Sequence, residues 1–333
     1  MPEIAPERMQ QFARMREVAR EIFASALKNA SIEAAFARNV HCERRVLRIG
    51  DDLHDLDTYH RVFVVSIGKA AHTMAAALEA QLGSSLEGIV ASSVEPARQV
   101  RGFRYFCGGH PTPTAESIRA ADAILNSLTS LDSTSLAIFM ISGGGSSVVE
   151  KPIDDDISLP DLAATYRTLV NSGAPIAEIN AIRKHLSAVK GGRLAQAAYP
   201  AQQVSILVSD VPDDTPDALA SGPTMPDSTS IYDCERIAAK YDLIDQFPNP
   251  SRIFSASMRS RRHPNPTIPL SSGRAGGPCS RTKWPSMKLP QPPPAPVSPS
   301  KSITPATTGP TIKPPPTYLA VCANCVAKYR VSV

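Results

Sequence analysis

A run of three glycines between serines is the segment of this sequence best suited to binding an anion. It occupies residues 142–147 and directly follows an apolar run, SLAIFMIS. A glycine-rich turn between a strand and a helix leaves backbone N–H groups free to donate to phosphate, and the missing Cβ atoms let phosphate oxygens approach. The segment matches neither GxxxxGK[ST] nor GxGxxG, so by itself it is equally consistent with a tight connection. The candidate cofactor-binding residues here are Ser142, Gly143, Gly144, Gly145, Ser146 and Ser147.

Lys69, in the segment SIGKA, is the candidate catalytic cation. The pattern predicts that it lies in the first turn of a helix, directly after a strand. A lysine there can extend into solvent, or it can direct a flexible cation at a carboxylate or phosphate. Because a glycine precedes it and a second glycine loop follows another strand, the anion-binding interpretation is favoured. His72, one helical turn past Lys69, and His110, in the segment GGHPTPT, are isolated imidazoles.

A third segment, RKHLSAVKGGRLA, concentrates basic residues ahead of and after a glycine pair. Such a pattern is typical of a solvated basic helix face, but it also suits a helix end that binds an anion, and the sequence favours neither. Its basic residues are Arg183, Lys184, His185, Lys190 and Arg193. If the second interpretation holds, Lys190, Gly191 and Gly192 would contact an anionic cofactor.

The segment SDVPDDTPDALASGPT places several carboxylates directly after a predicted strand. Magnesium bound to a nucleotide takes one or two protein carboxylates together with phosphate oxygens. The candidate metal ligands are Asp210 and Asp214, and Asp210 is also a candidate catalytic residue. Aspartate-rich loops are nevertheless common without any metal.

The strands and helices that must position these loops alternate regularly along the chain. Residues 61–250 alternate short apolar runs with amphipathic stretches, and such alternation predicts an α/β fold with a mostly parallel sheet and helices on both faces. In sheets of this kind ligands bind at the carboxyl ends of the strands. Each candidate loop directly follows a predicted strand, so the loops should meet at that edge. The predicted strands are RVFVVSIG, LEGIVASSV, GFRYFCGG, SLAIFMIS and QQVSILVSD.

The chain divides into two parts of opposite charge. Residues 1–250 hold 23 Lys+Arg and 31 Asp+Glu, whereas residues 251–333 hold 12 basic residues, no acid and 16 of the 31 prolines. We therefore expect an α/β domain over residues 1–250 and a Pro-rich basic tail over residues 251–333, without helices or central strands. The tail is either a disordered arm that binds a polyanion such as nucleic acid, or a segment translated out of frame. Codons compatible with parts of it can spell acid-containing sequences, including Gly-Asp-Asp, when read two nucleotides later.

The remaining composition excludes several protein classes. The N-terminal segment mixes both charges at helical spacing, which predicts a surface helix and not a signal peptide. The longest apolar runs are far shorter than the ~20 residues of a membrane-spanning helix. The six cysteines are too scattered for a disulfide framework, and Cys322 and Cys325 form a single CxxC motif. We expect a cytoplasmic protein without a membrane partner.

Taken together, SIGKAA, GGHPTPT, SGGGSS, KHLSAVKGGRLA and SDVPDDTPDALASGPT resemble, in order and spacing, the glycerate 2-kinase family whose chains end in a MOFRL domain. The resemblance covers roughly residues 10–250. It implies a two-domain α/β enzyme with a Rossmann-like N-terminal domain. This enzyme would transfer the γ-phosphoryl of ATP to the 2-hydroxyl of D-glycerate with Mg²⁺, in glyoxylate, tartrate or sugar-acid breakdown.

The resemblance assigns roles to matching residues and exposes two departures. Lys69 matches the family's functional lysine, residues 142–147 its phosphate-contacting loop and Asp210 the aspartate after its strand. The family's Gly-Asp-Asp is replaced here by Asp213, Asp214 and Thr215. Nothing after Pro250 matches the C-terminal domain and its functional arginine, so that domain is expected to be truncated or disordered and the chain could be inactive.

Family members also carry the name hydroxypyruvate reductase, an NAD(P)H-dependent activity, which is the alternative function. The sequence contains no GxGxxG followed by an acid about twenty residues later, so kinase chemistry is favoured. A third alternative is an inactive homologue with a polyanion-binding tail. The expected partner is a small sugar acid; nucleic acid is not expected, and the sequence does not predict an oligomeric state.

Overall fold

The computed structural model describes residues 6–83, 86–212 and 215–248, together with the backbone of residues 326–329. These residues form two sheets, one with strand order β1-β2-β3 and one with order β6-β5-β4-β7-β8-β9. The strands are β1 (Val40–Glu43), β2 (Val46–Ile49), β3 (Asp52–Asp55), β4 (Arg61–Ile67), β5 (Glu87–Ser92), β6 (Phe103–Cys107), β7 (Ser135–Ser142), β8 (Gln202–Val208) and β9 (Val326–Tyr329).

Five strands of the larger sheet are parallel, which confirms the predicted α/β class. β4 pairs with β5 on one side and β7 on the other, β6 pairs with β5, and β8 pairs with β7, all in parallel. β9 adds to β8 in the antiparallel direction. All eight residues of β7 are buried. Its continuous apolar run is therefore typical of a central strand that is covered on both faces.

Helices connect the strands and cover the sheet. They are α1 (Pro6–Asn29), α2 (Ile32–Asn39), α3 (Ala71–Leu82), α4 (Ala115–Leu128), α5 (Gly145–Val148), α6 (Leu159–Asn171), α7 (Ile176–Leu186), α8 (Arg193–Ala197) and α9 (Ile231–Lys240). No helix of the described residues is long and apolar enough to cross a membrane.

Alternate residues of β4 point into two different cores, as the two-residue period of a strand requires. Phe63 and Val65 pack with α4 and α8, whereas Val64 packs with α2 and α3. The sheet therefore has helices on both faces, as predicted. A third cluster joins α6, α7 and α9 and buries Tyr166, Leu169 and Ile182 among other apolar side chains.

Two parts of the fold were not predicted. The small antiparallel sheet β1-β2-β3 contributes Val40, Leu47 and Ile49 to the core beneath α3. His54 lies in β3 and is buried. The mixed-charge helix α1 was predicted correctly and is exposed along its length.

Candidate functional site

The carboxyl ends of β4, β7 and β8 bring together Lys69, the glycine loop and Asp210. Lys69 follows β4 and lies two residues before α3, so it sits in the connecting turn and not in the first helical turn that the sequence predicted. Its backbone N–H donates to the carbonyl oxygen of Gly143 at 3.0 Å. This bond joins the two loops directly, while the side chain of Lys69 remains exposed.

The glycines of the loop permit unusually close approaches by charged side chains. A Cβ placed on Gly143 would lie 2.3 Å from Oδ2 of Asp210. A Cβ on Gly144, whose φ is +83°, would lie 3.1 Å from Cγ of Lys69 and 3.1 Å from Cδ2 of His110. The cation, the carboxylate and the imidazole therefore surround one stretch of bare backbone. A phosphate bound there could accept hydrogen bonds from the backbone N–H groups of Gly143 and Gly144 and would lie close to Lys69.

His110 belongs to this site although the sequence showed only an isolated imidazole. Partial desolvation of the ring, and secondarily the charge of Lys69, lower the pKa of His110 below its usual 6.5. The neutral imidazole therefore predominates at pH 7. It can exchange a proton with a ligand or donate a hydrogen bond.

Some predicted loop residues support the loop rather than face a ligand. Ser142 is buried, and its Oγ donates to the carbonyl of Ile67 at 3.2 Å while accepting from the N–H of Ala70 at 3.1 Å. Gly145 packs against Ala220, and Ser147 is also buried. Gly143, Gly144 and Ser146 are the partly exposed members of the predicted set.

A second loop reaches the glycine loop from the side of α7. Ser146 Oγ lies 3.0 Å from Ser221 Oγ, which donates to Oδ1 of Asn180 at 3.1 Å. Ala220 and Ser221 both have positive φ, +51° and +61°. Because residues other than glycine adopt this conformation at a cost, the surrounding contacts must hold the turn in place. This turn lies within the segment SDVPDDTPDALASGPT, but its contact with Ser146 could not be predicted from the sequence.

Lys190 is buried and ion-paired, which disfavours its predicted contact with a cofactor. Its Nζ donates to Oε2 of Glu150, and both side chains are buried. Glu150 also accepts from Ser187 Oγ at 2.6 Å and from the Tyr166 hydroxyl at 2.7 Å. Burial lowers the pKa of Lys190, although the Glu150 carboxylate opposes this shift. Burial, with Glu150 as a further cause, raises the pKa of Tyr166 well above its usual value.

Gly191 and Gly192 have positive φ, but their N–H groups are occupied. Gly191 donates to the carbonyl of Ser221 at 3.1 Å and Gly192 to that of Gly222 at 2.8 Å. These N–H groups therefore fix the 220–222 turn and do not remain free for phosphate. Their contact with a cofactor was predicted from the basic residues around this glycine pair, and it stays a prediction.

The basic segment around α7 is not a solvated helix face. Lys184 is buried and donates to Asp217 Oδ2 at 2.7 Å, and His185 Nδ1 lies 3.7 Å from Asp227 Oδ2. Arg193 donates to the backbone carbonyls of Lys184 and Lys190. Most of these cations therefore hold the segment together, an arrangement that neither sequence-based interpretation included.

Asp210 is the predicted metal ligand that the structure describes, because Asp213 and Asp214 lie outside the described residues. Among the described residues no group of three or more His, Cys, Asp or Glu side chains could hold a metal ion. The exposed oxygens of Asp210 beside Gly143 still fit magnesium, which needs only one or two carboxylates when phosphate supplies other ligands. Asp210 would hold that ion next to the loop.

Several known proteins are similar to this chain in sequence and in fold. The chain is 38% identical over 229 residues to an Agrobacterium vitis protein provisionally named hydroxypyruvate reductase, covering 68% of this chain and 49% of the relative. It is 38% identical over 185 residues to the D-glycerate 2-kinase of Thermotoga maritima, covering 55% and 44%. The crystal structure of a Thermotoga maritima glycerate kinase matches with a TM-score of 0.63 and 30% identity, covering 74% of this chain and 56% of that chain.

The matches thus span about half the length of these relatives. The family match itself covers most of the present chain, from residue 18 to residue 254, and includes every loop of the candidate site. The chain therefore belongs to the family described as "Domain of unknown function (DUF4147)", and the chain itself resembles glycerate kinases in sequence and fold.

Proposed function

We propose that this protein is an ATP-dependent glycerate 2-kinase, which transfers a phosphoryl group to the 2-hydroxyl of D-glycerate. The observation that carries the proposal is the convergence of Lys69, Asp210 and the bare backbone of Gly143 and Gly144 at one sheet edge. The similarity to proteins named glycerate kinase supports it. Transfer of a phosphoryl group depends mostly on positioning and on neutralising charge, which these groups can supply.

Each group has a defined task in this proposal. The N–H groups of the glycine loop would donate to phosphate oxygens, and the exposed Nζ of Lys69 would neutralise developing negative charge. Asp210 would hold Mg²⁺, and the ion would supply positive charge that neutralises the phosphoryl group being transferred. His110, neutral at pH 7, lies close enough to Gly144 to accept a proton at the edge of the loop.

The reductase remains the second candidate function because two relatives bear that provisional name. It would require binding of NAD(P)H. The geometry favours it less, since the glycine loop ends in the four-residue helix α5 and not in the long helix of a dinucleotide fold.

The decisive experiment follows phosphoryl transfer. The purified protein is incubated with D-glycerate, ATP and Mg²⁺, and 2-phosphoglycerate is measured by ³¹P NMR. A second protein, in which residues after 250 are replaced by the translation of the restored reading frame, is assayed in parallel. If neither forms 2-phosphoglycerate, the kinase proposal is wrong. Oxidation of NADH with hydroxypyruvate by either protein would establish the reductase instead.

A further inference from the structure

Arg183 differs from every other basic residue of its segment. Within the part of the chain that the structure describes, its guanidinium makes no hydrogen bond and no ion pair, and its Nε is buried without a hydrogen-bond partner. The four other basic residues of the segment each contact a carboxylate or a backbone carbonyl. They are Lys184, His185, Lys190 and Arg193.

The guanidinium of Arg183 is nevertheless held in a defined orientation. Its Cζ lies 4.9 Å from the centre of the Tyr166 ring, as in a cation–π contact. The Tyr166 hydroxyl donates to the buried Glu150, so the ring cannot turn away easily. A buried N–H without an acceptor is costly, so the described residues leave this guanidinium uncompensated. The dipole of α7 explains a cation in its last turn, but it does not explain why this cation lacks a partner.

The surroundings of Arg183 suit a small acid that also carries hydroxyl groups. Arg183 follows Asn180 by one turn on α7, so the two side chains are neighbours on that helix. Asn180 is linked through Ser221 to Ser146 of the glycine loop. Ser146, the partly exposed member of these three residues, can exchange hydrogen bonds with an alcohol group. A guanidinium beside them, with its planar set of donors, matches the two oxygens of a carboxylate.

We propose that Arg183 binds the carboxylate of the small hydroxy acid whose hydroxyl is presented to the glycine loop. This inference rests on the proposed function and deepens it by assigning the substrate's carboxylate to a residue. Phosphate could supply the same anionic chemistry, but the glycine loop and Lys69 already provide for phosphate at the sheet edge. Arg183 is therefore a specificity-determining residue of the acceptor substrate.

The test is direct binding to the full chain by isothermal titration calorimetry. The probes are D-glycerate, glycerol as the alcohol without a carboxylate, and inorganic phosphate. The variants are Arg183→Gln, Arg183→Lys and the matched control Arg167→Gln, an exposed arginine that follows Tyr166 on α6. We expect D-glycerate to bind at least tenfold more weakly to Arg183→Gln and unchanged to Arg167→Gln. Glycerol should bind weakly and equally to all four proteins. If Arg183→Gln does not fold, Arg183→Lys, which keeps the charge but loses the planar fork, provides the comparison.

The outcomes separate this inference from the kinase proposal. Unchanged D-glycerate affinity in the Arg183 variants, or no carboxylate-dependent binding to the unmodified chain, overturns the inference. A loss confined to inorganic phosphate overturns the carboxylate assignment. Formation of 2-phosphoglycerate with an unchanged KM for D-glycerate in Arg183→Gln keeps the kinase and rejects the inference. Arg183-dependent binding without phosphoryl transfer, either by the full chain or by the protein with the restored reading frame, supports the inference and rejects the kinase.

Discussion

At the scale of single residues, Lys69 has the clearest chemical task. Its side chain lies beside Gly144 and is exposed, so no internal carboxylate competes for it among the ion pairs of the described residues. We expect Lys69→Met to lower kcat for glycerate phosphorylation about 100-fold, as loss of one stabilising donor does elsewhere. Lys69→Arg should retain part of the activity, and Lys28→Met, at the exposed end of α1, should retain all of it. Full activity of Lys69→Met would contradict this role.

His110 offers a spectroscopic test of the same site. We expect NMR titration to give its imidazole a pKa below 6.5, because desolvation and Lys69 both disfavour the protonated form. A group whose pKa is lowered by folding binds protons more weakly in the folded state, so it destabilises the fold as the pH falls below 6.5. Lys69→Met should raise this pKa part of the way, since desolvation is the larger cause. Bound phosphate should also raise the pKa of His110. An unshifted pKa of His110 in the unmodified protein would contradict the observed geometry.

At the scale of elements, the buried ion pair fixes the end of the glycine loop to the segment between α7 and α8. Lys190→Met leaves the Glu150 carboxylate buried without its cation, and breaking such a pair costs about 3–5 kcal/mol. The double variant Glu150→Gln with Lys190→Met should recover much of that loss. The control Lys151→Met removes a partly exposed pair with Asp122 and should cost no more than about 1 kcal/mol. Urea denaturation measures all three, and an equal cost for Lys190→Met and Lys151→Met would contradict the prediction.

The elements themselves were largely predictable, whereas their contacts were not. Short apolar runs identified β4 to β8, and an amphipathic stretch between the first two of these strands identified α3. Because parallel strands share one carboxyl edge, the meeting of the loops followed from the strand order. The pairing of Lys190 with Glu150 involves residues 40 positions apart. No local pattern distinguishes such a buried pair from a cation that contacts a ligand.

At the scale of the whole molecule, the charge imbalance between the two parts of the chain calls for an explanation. The predicted tail lies outside the described residues, except for the four-residue edge strand β9. We propose that residues 251–333 arise from a shift of reading frame, since 12 basic residues without one acid are unusual beside an acidic domain. Resequencing the DNA around codon 250 should find an inserted or deleted nucleotide. An uninterrupted frame in independent DNA copies would contradict the proposal.

The alternative, a polyanion-binding arm, makes a different prediction. It requires nucleic-acid binding that weakens steeply with salt and disappears when residues 251–333 are deleted. We expect no such binding, because the part of the chain that precedes the tail carries a formal charge of 23 − 31 = −8. Salt-sensitive binding by the full chain alone would favour the arm.

The buried pair of Glu150 and Lys190 also has a consequence for how this sequence can diverge. Since loss of either partner leaves an uncompensated charge in the interior, single substitutions at these two positions should be eliminated by selection. The two residues should therefore be inherited or replaced together in related chains. Their joint presence would identify relatives that keep this anchoring of the glycine loop, even where the surface of the site has changed its substrate.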